Sequence, residues 1–162
     1  MIDAPMWPPR LEQWRPEVLK AAKRTGLAPE LIAAIMDRES LGGMALDPKG
    51  PTGTGDFGHG RGLMQIDDRA HPDFCGEPYF WADPGENILY GAQILVRNLH
   101  ALGDVPSAIA AYNCGVHRVE RLLLMSPKPS IAQLDELTTG HDYVSDVLSR
   151  LHKLQFLEGG KV

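Results

Sequence analysis

Six of the thirteen residues from Gly50 to Gly62 are glycine, and that stretch sets how the rest of the chain can fold. Glycine loses more backbone freedom on ordering than any other residue, so no stable helix crosses such a segment. On either side, apolar residues recur at helical spacing, punctuated by glycine and proline. The cluster therefore reads as a loop leading into a short β-hairpin set between helical blocks. Gly62-Leu-Met-Gln-Ile-Asp67 is its most strand-like part.

The helical blocks have legible ends. Trp14-Arg-Pro16 opens a helix through Val18, Leu19 and Ala22 that Gly26 closes. A second runs from Pro29 and stops near Ser40-Leu-Gly-Gly. After a proline-spotted loop, Asp83-Pro-Gly-Glu86 resembles a capping box, followed by Ile88, Leu89, Ala92, Leu95, Val96 and Leu99 up to Gly103. Asp104-Val-Pro106 starts another through Ala108, Ile109 and Tyr112, with further helices expected around 116–125, 130–137 and 141–157. The expected fold is mainly α (α+β), about six to eight helices with one small hairpin. A chain of 162 residues suits one well-cored domain over residues 1–162, residues 1–13 forming an irregular N-terminal arm.

Composition narrows the function classes. A formal net charge of -5 argues against nucleic-acid binding, which needs a basic patch or stripe. The longest apolar runs fall far short of the roughly 20 residues that span a bilayer, so no membrane insertion is expected. Met1-Ile-Asp-Ala-Pro-Met-Trp-Pro-Pro is too proline-rich, and acidic too early, for a secretory signal. Cys75 and Cys114 have no metal-type spacing; a disulfide and two ordinary thiols are both open, the missing signal favouring thiols.

Glu39 is the residue with most chemical content. At 100° per residue it falls between Ile32, Ile35 and Met36, whereas Asp37 and Arg38 point elsewhere, towards water. A carboxyl held against apolar surface is harder to ionise, and can carry a proton near neutrality for donation to a leaving group. The alternative is an amphipathic boundary residue, or a buried glutamate paired with arginine. Asp56, among glycines that shield it poorly, and Asp67, at the strand end, offer ionised carboxylates. A protonated and an ionised carboxyl are the minimum equipment for glycoside hydrolysis; either aspartate also reads as an ordinary turn residue.

Other matches do not survive their context. Gly53-Thr-Gly-Asp-Phe-Gly58 fits G-x-G-x-x-G but opens no helix and puts an aspartate where a pyrophosphate would sit. Asp56-Phe57-Gly58 lacks the other kinase signatures. His59, His71, Asp67 and His141 have no metal-ligand spacing, so neither metal nor cofactor is expected.

Five short segments in register carry a resemblance: Arg38-Glu39-Ser40, Gly60-Arg-Gly-Leu-Met-Gln-Ile-Asp67, Asp67-Asp-Arg-Ala-His71, Ala110-Ala-Tyr112-Asn113-Cys-Gly115 and Thr138-Thr-Gly-His-Asp-Tyr143. Over about residues 28–155 the chain resembles goose-type lysozymes, and shares elements with soluble lytic transglycosylases. The resemblance implies a lysozyme-like domain with the hairpin lining an active-site cleft. Glu39 matches the family's general acid, and Asp56 and Asp67 match aspartates that position or activate water. Ser40, within the first shared element, is expected to contact the substrate, and Gln65 to line the cleft. Tyr112, Asn113 and Tyr143 match groove residues, and His71 a sugar-contacting position. Tyr112 and Tyr143 would stack on sugars or orient Glu39. Three features depart from the pattern: a longer loop between Glu39 and Asp56, Cys114 in place of a small residue, and no evident disulfides. The last fits a bacterial or phage member.

The implied reaction is hydrolysis of the β-1,4 bond between N-acetylmuramic acid and N-acetylglucosamine, by single displacement with inversion. The implied partner is the glycan strand of peptidoglycan, met by a monomer at the bacterial cell wall, in the periplasm or outside the cell. Synthesis in a host cytoplasm and release through a holin-type pore, as for an endolysin, would suit a chain without a signal. The alternatives are a lytic transglycosylase forming anhydro-muramic products and a non-catalytic peptidoglycan-binding module.

Overall fold

The computed structural model describes residues 7–159. The expected helices are α2 (Arg15–Thr25), α3 (Pro29–Ser40), α6 (Pro84–Leu102), α7 (Val105–Cys114), α8 (Val116–Met125), α9 (Ile131–Asp135) and α10 (Tyr143–Gly159). Three one-turn helices join them: α1 (Pro9–Glu12), α4 (Pro72–Cys75) and α5 (Pro78–Trp81). Residues 1–6 of the expected arm lie outside the described residues, and the remainder is not irregular, because α1 forms there and buries Leu11. Proline occupies the first turn of α1–α4, α6 and α7, where its missing N–H costs nothing. Asp83 and Asp104 cap α6 and α7, and Ser130 with Gln133 forms a capping box on α9.

Helix α3 runs through the core. Ile32, Ala33, Ala34, Ile35 and Met36 have no solvent exposure at all, which an amphipathic surface helix would not show. It packs between α2 and α10, while α6 packs on α2 and α7. Asp37 and Arg38 do not reach into water as expected. Asp37 is buried between Arg10 (2.7 Å) and Arg150 (2.5 Å), and Arg38 is held by Asp142 (2.8 Å) and Asp146 (2.9 Å). Both side chains therefore meet opposite charge on other elements, α3 being packed there against α1 and the start of α10.

The glycine-rich segment forms a three-stranded antiparallel sheet, β1 (Thr54–Gly55), β2 (Gly60–Arg61) and β3 (Ile66–Asp67), two small hairpins sharing β2. Only the last two residues of the strand-like stretch are strand, because Gly62–Gln65 is a turn. Leu63 and Met64 are adjacent and both buried, whereas a strand with a single buried face would expose one of the two. Gly62 (φ 68°) and Gln65 (φ 49°) take the left-handed conformations that close this turn. Asn87 of α6, itself fully buried, holds it from below. Its Oδ1 accepts from the Met64 N–H (2.8 Å), and its Nδ2 donates to the carbonyls of Arg61 (3.0 Å) and Trp81 (2.9 Å).

Asn87→Ala leaves those three backbone groups without a partner in a dry site. We expect it to cost about 3 kcal/mol in urea unfolding, against far less for a surface Asn→Ala change.

Candidate active site

Glu39 lies in the last turn of α3, and the hydroxyl of Tyr143, the first residue of α10, donates a hydrogen bond to its Oε1. The residue keeps a narrow window to solvent, while protein crowds the carboxyl on its other sides. Burial pushes its pKa from 4.5 up to about 7, against the opposing pull of the Tyr143 hydroxyl and the Arg38 charge. Arg38 makes no bond to it. That guanidinium is spent on Asp142 and Asp146 and lies over the Tyr143 ring, 5.3 Å from its centre. Glu39 is therefore neither a boundary residue in water nor one half of an ion pair.

Tyr143 is placed by a carboxylate from another helix. Asp135, buried at the end of α9, accepts from the Val144 (2.6 Å) and Ser145 (3.2 Å) N–H groups and so caps α10. Only 2% exposed, Tyr143 cannot stack on a sugar, so of its two expected roles orientation of Glu39 remains. Ser40 is likewise no ligand contact. At 1% exposure its hydroxyl donates to the Leu63 carbonyl (2.7 Å) and accepts from the Gly43 N–H (3.0 Å), tying α3 to the Gly62–Gln65 turn. Tyr112 of α7 donates to the Met64 carbonyl (2.9 Å).

Five of the expected residues, Gln65, Asp67, His71, Tyr112 and Asn113, line one cleft of about 300 Å³ between β3, α6 and α7. Glu39 itself is not among the residues lining that cleft; burial first, and then the nearby Glu39 charge, hold the Tyr112 hydroxyl protonated. Gln65 lies across the sheet: a Cβ at Gly55 or Gly60 would stand 2.3 or 2.2 Å from its Oε1, so this cross-strand glycine pair seats the glutamine. Asn113 accepts from the Thr139 N–H (2.9 Å), and His71 pairs with the Tyr90 hydroxyl (3.0 Å). Burial and the nearby Arg97 charge lower the His71 pKa, which favours neutral imidazole. Asp56 stands outside the cleft lining, joined to Asp67 through Arg69 at 2.8 and 2.6 Å. Those bonds hold the Asp67 carboxyl ionised down to about pH 2.

Sequence reasoning missed Asn87, Asp135 and Arg69. Asn87 carries a faint signal, a polar residue beside Ile88 and Leu89 in a capped first turn; Asp135 carries none, since its partners lie on another helix. Cys75 and Cys114 are free thiols. Among the described residues no three His, Cys, Asp or Glu side chains cluster as metal ligands, and no helix is long and apolar enough to cross a membrane.

A model of the lysozyme g family matches residues 4–155. The chain belongs to the lysozyme g family. It is 33% identical over 152 residues to a lysozyme g of Takifugu rubripes, covering 87% of this chain and 73% of that protein. Against a lysozyme g of Struthio camelus the identity is 30% over 150 residues, covering 86% of the chain and 65% of that relative. A transglycosylase of Enterobacteria phage PRD1 is 31% identical over 106 residues, 65% of this chain and 36% of its own length. The chain is thus a lysozyme by family, spanning about two thirds to three quarters of these two lysozyme g relatives.

Two outcomes follow from the state of Glu39. Neutral in the fold at low pH, it contributes stability that is present below pH 4.5 and lost as pH rises through about 7. Glu39→Gln, which cannot ionise, should gain on the wild type in thermal unfolding above pH 7, by no more than about 3 kcal/mol, and not below pH 4. Tyr143→Phe removes a donor to the ionised form, so NMR titration of the Glu39 carboxyl should move to higher pH.

Proposed function

We propose that this chain hydrolyses the β-1,4 bond between N-acetylmuramic acid and N-acetylglucosamine, by single displacement with inversion. Lysis of peptidoglycan accords with its place in the lysozyme g family. One observation carries the acid-catalysed cleavage: a glutamate buried enough to hold a proton near neutrality, bonded by a tyrosine and bridged by no guanidinium. Protonated Glu39 donates to the glycosidic oxygen as the bond lengthens, and charge develops at the anomeric carbon. Asp67, with Asp56 beside it, orients a water on the opposite face of the ring. Inversion requires about 6.5–9.5 Å between the acid and base carboxyls, room for that water. Gln65, His71, Tyr112 and Asn113 line the cleft the glycan occupies. The protein acts as a monomer on the bacterial cell wall, in the periplasm or outside the cell, with no part for nucleic acid or membrane insertion.

A second reading has its own support. The phage relative bears the name transglycosylase, and that chemistry needs no second carboxylate, because the substrate's 6-hydroxyl attacks in place of water and its proton returns to the glutamate that protonated the leaving oxygen. The aspartates weigh towards hydrolysis, since a transglycosylase has no use for a second ionised carboxylate.

Glu39→Gln should fold and lose lysis in a turbidity assay on sacculi; substantial lysis by the folded variant would remove the general acid. Asp56→Asn and Asp67→Asn should each slow turnover about tenfold or more. Mass spectrometry of the digest separates the two chemistries: reducing muramic ends for hydrolysis, anhydro-muramic ends for transglycosylation.

A further inference from the structure

Arg69, in the turn after β3, has no part in the mechanism above, yet it touches both aspartates. Its Nη2 donates to Asp56 Oδ2 (2.8 Å) and Asp67 Oδ2 (2.6 Å), and its Nε to Asp67 Oδ1 (2.9 Å). Its backbone N–H donates to the same Oδ1 (2.8 Å), so residue 69 grips Asp67 from main chain and side chain together. Two carboxylate oxygens bonded to one nitrogen can be no farther apart than those two bonds laid end to end. Without a cation between them, carboxylates that close repel, and side chains this exposed swing apart into water and no longer converge on one site.

Among the described residues no other guanidinium or ammonium bonds to this pair. Asp68 takes the bonds of His59 (2.8 Å) and Arg61 (3.0 Å), and Arg97 lines the cleft beside Asp67 without an ion pair to it. His71, at the approach to α4, faces Asp67 but is held towards its neutral form by burial and by Arg97 of α6. Asp56 has no other ion-pair partner among the described residues.

We propose that Arg69 is a positioning residue for the water-activating pair, its guanidinium holding Asp56 and Asp67 side by side. This rests on the hydrolytic reading and adds to it the device that keeps two neighbouring aspartates usable. The triad is open to water, with side chains 56%, 55% and 40% exposed, and exposed ion pairs contribute little to stability. Its loss therefore leaves the fold intact, and a purely structural role would leave catalysis intact as well.

The test is Arg69→Gln and Arg69→Lys in the full chain, followed by carboxyl-carbon NMR titration of Asp67 and by kcat, KM and their pH profiles on soluble glycan fragments. For Arg69→Gln the Asp67 titration should move up by about one pH unit or more, the acid limb of kcat moving with it. At its optimum kcat should fall about tenfold while KM changes less than about threefold. Arg69→Lys should restore the acid limb through its charge but not the full kcat, since an ammonium lacks the planar fork that grips both Asp67 oxygens while its outer nitrogen reaches Asp56. An unmoved titration, or a moved titration with kcat within twofold of wild type, overturns the proposal. If Asp67→Asn turns over normally, the hydrolytic reading falls and Arg69's role with it. If Asp67→Asn is slow while Arg69→Gln is silent, only the role of Arg69 falls.

Discussion

The peptide groups of Leu63 and Met64 are buried without a strand partner, and satisfying them organises the molecule around the site. A buried backbone N–H or C=O left alone costs as much as a lost hydrogen bond. Three elements answer that demand: Ser40 from α3 takes the Leu63 carbonyl, Tyr112 from α7 the Met64 carbonyl, and Asn87 from α6 the Met64 N–H. Because Ser40 follows Glu39 directly, and Asp67 lies three residues beyond Met64, the same bonds set the acid helix against the aspartate-bearing sheet. The glycines around the turn serve this packing. Gly62 leaves room for Asn87, and Gly55 and Gly60 leave room for Gln65.

The second constraint is where the arginines go. Arg38 is next to Glu39 in sequence and could neutralise it; Asp142 and Asp146 draw it away, and Arg150 bridges Asp146 to the buried Asp37. Asp142 and Asp146 thus hold the competing cation over the Tyr143 ring, while the Tyr143 hydroxyl bonds Glu39. A buried ion-pair network is weak evidence of stability. Its effect here is on electrostatics, since it leaves one carboxyl in apolar surroundings free to hold its proton.

Much of the fold was legible locally. Proline at first turns, aspartate caps at 83 and 104, and glycine at 26 and 103 place the helix ends within a residue or two. The Gly62–Asp67 stretch misled, because Leu-Met-Gln-Ile has strand composition while its burial belongs to a turn pinned by a distant asparagine. Asp37 and Arg38 misled for the opposite reason: their angle on the helix was right, but the outward face of α3 meets α1 and α10 rather than water. Ser40 and Tyr143 stand beside the site without facing a ligand, a distinction that depends on burial and not on position in a motif.

Periodicity, capping residues and the glycine cluster determined, from the sequence alone, a helical domain with a small β insertion and an acid on an apolar helix face. These are short-range properties, carried by residues within a few positions of one another. Tertiary structure alone decided which charges meet. Arg38 turns to α10, Arg69 joins two aspartates thirteen and two residues away from it, and Asp135 caps a helix it does not belong to. Electrostatic partners are set by distance in space, and periodicity holds no record of that distance.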